Sequence, residues 1–465
     1  MNVKTYIRAK SSLIILLIFL AVFMFFVYVM PMKLTPKETV SYIVLLFANI
    51  VFALVFTWVV AKKQVDIFEP FVLCSAILYL LFTVAPMTFL VQGITSLYGA
   101  YMMDGCIKGT LIFLFSYLAF VIGYYRRSNF FDSQQEEFVA NIPSQKEIVF
   151  VWAIWITAFL LSLVYHLLVG RSFVYVLSLG RFGGGAGVRD VSFKFLINVS
   201  YSMIPCLLYI YCYSKNKLIN LIVTYLTVSV YIVQGFRFIL IVFAVSVLSL
   251  YYIPKRKRPG ITTIAAFFCV CVLMMIILGN VRNSLRAGTG VNQGAFSLDS
   301  FGYILYSNFN IVLPYYAIVD KMPEIHPYTL GRAMILETFI TAIPRAIWSG
   351  KPTEYTNVRM INLCSGVDLT GIAGMAAPGL AEYYIDFGVI GCIVIMYFMG
   401  RILANMKKLY KENVNNVDNL VLYCSLFPLL FQFIIRCNTA GNILQAVFLL
   451  GPVMAVKQIR KIRVR

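Results

Sequence analysis

LINLIVTYLTVSVYIVQGFRFILIVFAVSVLSLYYI, residues 218–253, decides how this chain is threaded. Its one charged residue is Arg237, in the run Gln234-Gly235-Phe236-Arg237. As a single helix these 36 residues would run about 54 Å at about 1.5 Å per residue. The hydrocarbon core of a bilayer is only about 30 Å thick. An arginine at the middle of one span would also cost about 2.5–3.5 kcal/mol on insertion scales. Two short spans turning at Gly235 meet both constraints, and Arg237 then lies in a tight turn at one membrane face.

The rest of the chain reads the same way. Of 465 residues, 61% are hydrophobic and only 12% charged, against about 25% charged in soluble domains. About twelve spans follow: 11–30, 39–61, 70–90, 105–125, 147–169, 195–213, 218–235, 237–253, 261–280, 379–403, 419–436 and 442–457. The fold expected is an all-α polytopic membrane protein, with 1–465 a single integral membrane domain. The first apolar run is longer than a signal-peptide core and lacks a small-residue cleavage site, so it is expected to be an uncleaved span.

Alternating sides from the N-terminus places 23 of the 39 Lys and Arg in cytoplasmic segments, among them Lys62/Lys63, the Lys255–Arg258 run and the tail from Lys457. That distribution predicts N-in and C-in. The net charge of +20 sits in short inter-span loops. It therefore speaks for topology and anionic lipid rather than nucleic acid.

Two long segments fall on the outer side, 170–194 and 281–378. The second is too polar for a span and too aromatic for a tether. Its Ile311–Val319 and Ala333–Ile343 stretches are expected to be short helices, interfacial or re-entrant. The outer side also collects arginines where cations are normally scarce: Arg171, Arg181, Arg189, Arg237, Arg282, Arg286, Arg332, Arg345 and Arg436. Guanidiniums at span ends and tight turns suit an anion such as a lipid-linked diphosphate.

Individual residues admit two readings each. Arg282 and Arg286, four apart, share one face if their helix continues, and either clamp a diphosphate or reach lipid headgroups. In Ile343-Pro344-Arg345-Ala346-Ile347-Trp348-Ser349-Gly350-Lys351-Pro352, an indole beside cations suits a sugar phosphate, or an ordinary interfacial anchor. Glu382 and Asp386 open a span. They either complement a helix dipole or supply a general base. His326 and Asp190 are further base candidates, and Gly183–Gly187 offers exposed N–H groups for phosphate. Ten cysteines without paired spacing and two histidines, His166 and His326, give no metal-ligand pattern. Cys364 and Cys437 face the outer side, where a disulfide is possible.

Three segments, in order, resemble the O-antigen/oligosaccharide repeat-unit polymerase family (Wzy-type). They are Gln-Gly-Phe-Arg-Phe at 234–238, Ile-Pro-Arg-x-x-Trp-x-x-Lys-Pro at 343–352, and Gly-Leu-Ala-Glu-Tyr-Tyr-x-x-Phe-Gly-x-x-Gly at 379–391. The large outer loop before the third-last span matches too. The resemblance implies a GT-C-like membrane glycosyltransferase acting on undecaprenyl-diphosphate-linked oligosaccharide at the outer face of the bacterial cytoplasmic membrane. It implies no metal and no cofactor. A chain-length regulator protein would be a possible partner besides membrane lipid. On that footing Arg237, Arg282, Arg286, Arg345 and Arg436 are expected to hold the diphosphate. Trp348 and Tyr383 are expected to contact sugar, and Glu382 to take the acceptor proton. A ligase passing glycan to another acceptor, or a flippase for lipid-linked oligosaccharide, would use the same substrate.

Overall fold

The computed structural model describes residues 17–29, 34–63, 68–127, 143–168, 196–214, 216–233, 237–255, 259–260, 309–344, 347–352, 355–367, 376–412 and 416–464, with isolated positions between 262 and 273. The elements are α1 (Leu17–Tyr28), α2 (Pro36–Lys63), α3 (Pro70–Gln92), α4 (Cys106–Arg127), α5 (Gln145–Leu168), α6 (Met203–Tyr213), α7 (Lys217–Val233), α8 (Arg237–Tyr252), α9 (Val312–Lys321), α10 (332–342), α11 (Thr356–Ser365), α12 (Gly379–Glu412), α13 (Val417–Ile435) and α14 (Thr439–Val464). A two-residue hairpin, β1 (Ser96–Leu97) with β2 (Ala100–Tyr101), turns through Tyr98 and Gly99. Both turn residues have positive φ, as a tight hairpin turn requires.

Seven helices among the described residues are long and apolar enough to cross a membrane: α2, α3, α4, α5, α12, α13 and α14. Three shorter apolar helices join them, α1, α7 and α8. The stretch 218–253 forms two helices, as its length demands. The Tyr231 and Phe243 rings, six residues on either side of Arg237, lie 6.2 Å apart. The span expected at 261–280 lies almost wholly outside the described residues, as do the loop 170–194 and residues 281–308.

Local chemistry sets the helix starts. Thr35 and Glu38 form a capping box around Pro36, with Thr35 N–H donating to Glu38 Oε2 at 3.0 Å and Glu38 N–H donating to Thr35 Oγ1 at 3.3 Å. Asn216 caps α7 by accepting from Leu218 N–H at 2.9 Å, and Asn416 caps α13 by accepting from Asp418 N–H at 2.9 Å.

α12 packs along α4, and the two run parallel: Lys108 faces Tyr384 near one end, while Gly123 meets Tyr397 and Gly400 meets Phe120 near the other. A Cβ at Gly123 would lie 2.1 Å from the Tyr397 carbonyl oxygen, and one at Gly400 would lie 2.1 Å from that of Phe120. Lipid tails are as apolar as the side chains they meet, so close backbone approach replaces the hydrophobic effect as the adhesive here.

The two stretches expected to be interfacial or re-entrant helices part company. Ile311–Val319 is core: every residue from Val312 to Val319 is buried. Tyr315 donates to the Gly109 carbonyl at 3.0 Å, and the Lys108 ammonium donates to the Val319 carbonyl at 2.7 Å at the C-terminus of α9. The 333–343 stretch, on α10, keeps an exposed apolar face instead.

Candidate functional site

The site grows from the first two turns of α12. Glu382 and Asp386 are four residues apart and so share a helix face. Glu382 accepts from Thr439 N–H at 2.9 and 3.2 Å and from the Thr439 hydroxyl at 2.7 Å. Thr439 is the first residue of α14. Asp386 accepts from Ala333 N–H at 3.1 Å, from Met334 N–H at 2.9 Å and from the Thr329 hydroxyl. Those amides open α10. One helix thus caps two others, each carboxylate facing unbonded donors at the positive end of a dipole.

α12 is broken two residues beyond Asp386. Gly388 has φ 64° and ψ −153°, a conformation that only glycine adopts readily. The ring of Tyr328 lies 2.8 Å from where a Cβ would be. On the N-terminal side of the break, the Ile385 and Asp386 carbonyls accept from Thr329 and Leu330 N–H, both at 3.0 Å. Irregular backbone at membrane depth is tolerated where protein satisfies it, and residues 328–334 do so here.

A third acid continues the pattern. Glu337, within α10, accepts from Thr356 N–H at 2.5 Å and so caps α11. Burial pushes its carboxyl above the ordinary value, against the lowering effects of the Thr356 bond and of Arg332. At the other end of α10 the Lys351 ammonium donates to the Thr341 and Ile343 carbonyls at 3.2 and 2.9 Å. α10 is therefore held at both ends by charges of the appropriate sign.

These elements converge on the turn between α13 and α14. Asn357 of α11 donates to the Cys437 carbonyl. Cys437 N–H donates to the Ala377 carbonyl at 2.8 Å, and Arg436 N–H donates to the Gln432 carbonyl at 2.9 Å. With Glu382 on Thr439, the backbone that carries Arg436 is pinned from α11, α12 and α13. Arg436 is half-buried there, and Arg332 and Arg359 are exposed.

The expected site residues fare differently. Arg436 and Glu382 meet at one turn. Trp348 is accessible, at 38% exposure. Tyr383, the other expected sugar contact, is 3% exposed and packs in the core. Glu382 is 1% exposed, and its carboxylate accepts the Thr439 bonds that hold the start of α14. Arg237 begins α8, and its side chain lies outside what is described. Arg282, Arg286, Arg345, Asp190 and Gly183–Gly187 lie outside the described residues altogether. His326 Nδ1 sits 2.6 Å from the Pro327 carbonyl oxygen. Cys364 and Cys437 are buried free thiols, and burial pushes the Cys364 thiol up to about 11. Among the described residues no three His, Cys, Asp or Glu side chains are grouped to hold a metal ion.

Sequence reasoning missed Glu337, Asn357 and Thr439. For Thr439 a signal existed: Asn438-Thr439 at the head of an apolar run is an N-cap pattern. For Glu337 none did.

Apolar helices of membrane-spanning length, glycine-packed and tied at one end by carboxylates that cap neighbouring helices, define an integral membrane protein with a built polar site at one end of its bundle. The family of O-antigen polysaccharide polymerase Wzy matches residues 13–462, and the chain belongs to that family. Neither a curated protein nor a solved structure matches it.

Proposed function

We propose that the chain joins undecaprenyl-diphosphate-linked oligosaccharide units into a surface polysaccharide such as O-antigen or capsule. The Thr439 end of the bundle would be its active, outer face. Twelve spans with both termini inside, a GT-C-like arrangement and 281–378 as the outer loop accompany that reading. The observation that carries it is the family match over 13–462. The convergence of α10, α11, α12 and the Arg436 turn at one end agrees with it.

In this reaction the bond between the growing chain and its lipid diphosphate breaks. A glycosidic bond forms to a hydroxyl of the incoming unit, the hydroxyl proton passes to a base, and the lipid diphosphate leaves carrying the charge. Fixed guanidiniums stabilise that charge best when they need no rearrangement during the step. Arg436 is proposed as one of them, because its backbone is held between α13 and α14 at that end of the bundle. Arg237, Arg282, Arg286 and Arg345 are its proposed partners, and Trp348 is the proposed sugar contact. Glu382 enters as a positioning residue through Thr439.

Purified protein in proteoliposomes, given lipid-linked repeat units alone, should yield a polymer ladder. Arg436→Ala and Arg345→Ala should give single units from folded, inserted protein, while Glu382→Gln, whose amide still accepts the Thr439 bonds, keeps a ladder. Wild-type ladders in both arginine variants would overturn the diphosphate role. No product without a second acceptor would identify a ligase. Loss of product in a folded Glu382→Gln protein would make Glu382 the base.

A further inference from the structure

α10 is inside out for a water-facing helix. Its inward face presents Ala333 and the Glu337 carboxylate, both buried, while Ile335, Leu336 and Phe339 point away from the protein at 59%, 50% and 68% exposure. The exposed apolar series begins before the helix, at Leu330, and runs past it to Ile343, Ile347 and Trp348. Surface helices normally turn this face to the core, and soluble proteins rarely leave so much of it uncovered.

The patch is continuous with the exposed apolar stripe of a candidate membrane span. Gly331 lies between the Ile335 and Phe387 side chains, within 3.2 Å of both from an ideal Cβ position. Phe387 heads the exposed stripe of α12 formed by Ile390, Val394, Phe398 and Ile402, spaced three or four residues apart along a candidate span. Depth agrees. Leu330 N–H bonds the Asp386 carbonyl, about 10 Å along α12 from Gly379 at about 1.5 Å per residue. The span Gly379–Lys407 is longer than a hydrocarbon core of about 30 Å needs. The level of Asp386 is therefore at the hydrocarbon boundary when the span is centred. Arg332, Trp348 and Lys351 flank the apolar face as cations and indoles do at membrane interfaces.

We infer that residues 330–344 and 347–348 are seated in the leaflet at the Thr439 end, with phospholipid acyl chains covering Leu330, Ile335, Leu336, Phe339, Ile343 and Ile347. Asp386 and Lys351 then hold an interfacial helix at fixed depth, and the built polar site opens at the lipid surface rather than above it. The inference does not depend on which substrate is polymerised.

The test uses the full chain in nanodiscs of phosphatidylethanolamine and phosphatidylglycerol. A nitroxide is attached through a ketone-bearing amino acid in place of Phe339 and, separately, of Ile347. Neither side chain packs in the core, so the two positions test the idea independently of folding. Collision with oxygen is compared with collision with a water-soluble nickel chelate. Ile390 on α12 serves as the lipid reference and exposed Glu324 as the water reference. The oxygen-to-nickel ratio at 339 and 347 should match that at 390 and exceed that at 324 severalfold. A ratio equal to that at 324 would put the segment in water. Slow collision with both reagents would mean that a partner protein or second copy covers it. Either result overturns the inference.

Discussion

At the Arg460 end of the bundle, buried acids face cations. Arg460 bonds Glu147 at 2.7 Å and Asp418 at 2.8 Å, and Lys407 bonds Glu69 at 2.9 Å. At the Thr439 end, three buried acids face peptide N–H groups and hydroxyls instead, Glu382 on Thr439, Asp386 on Ala333 and Met334, and Glu337 on Thr356. Among the described residues none of those three forms an ion pair within 4.0 Å, although the charge of Arg332 acts on Glu337. The difference has a chemical consequence. Helix N-termini hold the acids of the second end through N–H groups and hydroxyls rather than through an ion pair. At the first end the cations are committed to structure.

The largest effect expected from breaking that contrast comes from Arg460→Ala. It strands Glu147 and Asp418, whose side chains are 1% and 4% exposed, and removing one partner of a buried pair typically costs about 3–5 kcal/mol. Thermal unfolding in detergent measures it. Adding Glu147→Gln and Asp418→Asn should restore much of the loss. A variant as stable as wild type would show that the network contributes nothing.

Gly388→Ala comes next. A Cβ must enter the Tyr328 ring, and the residue must hold a φ of 64°, a strain of about 1–3 kcal/mol. Because the break carries the bonds to Thr329 and Leu330, the loss should be local. Limited proteolysis within 327–347 should accelerate while the Arg460 end stays protected. Uniform loosening of both ends would refute the idea that the break anchors only α10.

This contrast also marks where sequence reading succeeds. The split of 218–253 into α7 and α8 was legible, because length and one arginine suffice. So were Glu382 and Asp386 as a pair on one helix face, and the glycines of 379–391 as a motif. Their partners were not legible, because Thr439 and Ala333 lie more than fifty residues away and an acid at a helix start looks the same whether it caps its own helix or another. Whether Ile311–Val319 is interfacial or re-entrant was not legible, since an apolar run reads alike against lipid and against protein; it is a helix buried in the core. Its neighbour 333–343 carries Glu337 on the protein side, and a single acid in an apolar run gives no direction.

The smallest predicted effect sharpens the comparison further, because it concerns one charge held by one N–H. Burial raises the Glu337 carboxyl above its ordinary 4.5 in the folded protein. The folded state therefore binds that proton more tightly than the unfolded state, and stability falls as pH rises from 4.5 until the folded group has also ionised. An acid held by an arginine would slope the other way, as the lowered Asp/Glu case requires. Glu337→Gln keeps an oxygen for Thr356 N–H and removes the ionisation. Hydrogen exchange at 356–359, corrected for intrinsic rates, should show protection of α11 declining in wild type as pH rises above 4.5, and a flat profile in the variant. A decline that persists in Glu337→Gln would assign the titration to another group. A rise with pH in wild type would mean that a cation, not the helix start, governs Glu337, and the distinction between the two ends would fail at this residue.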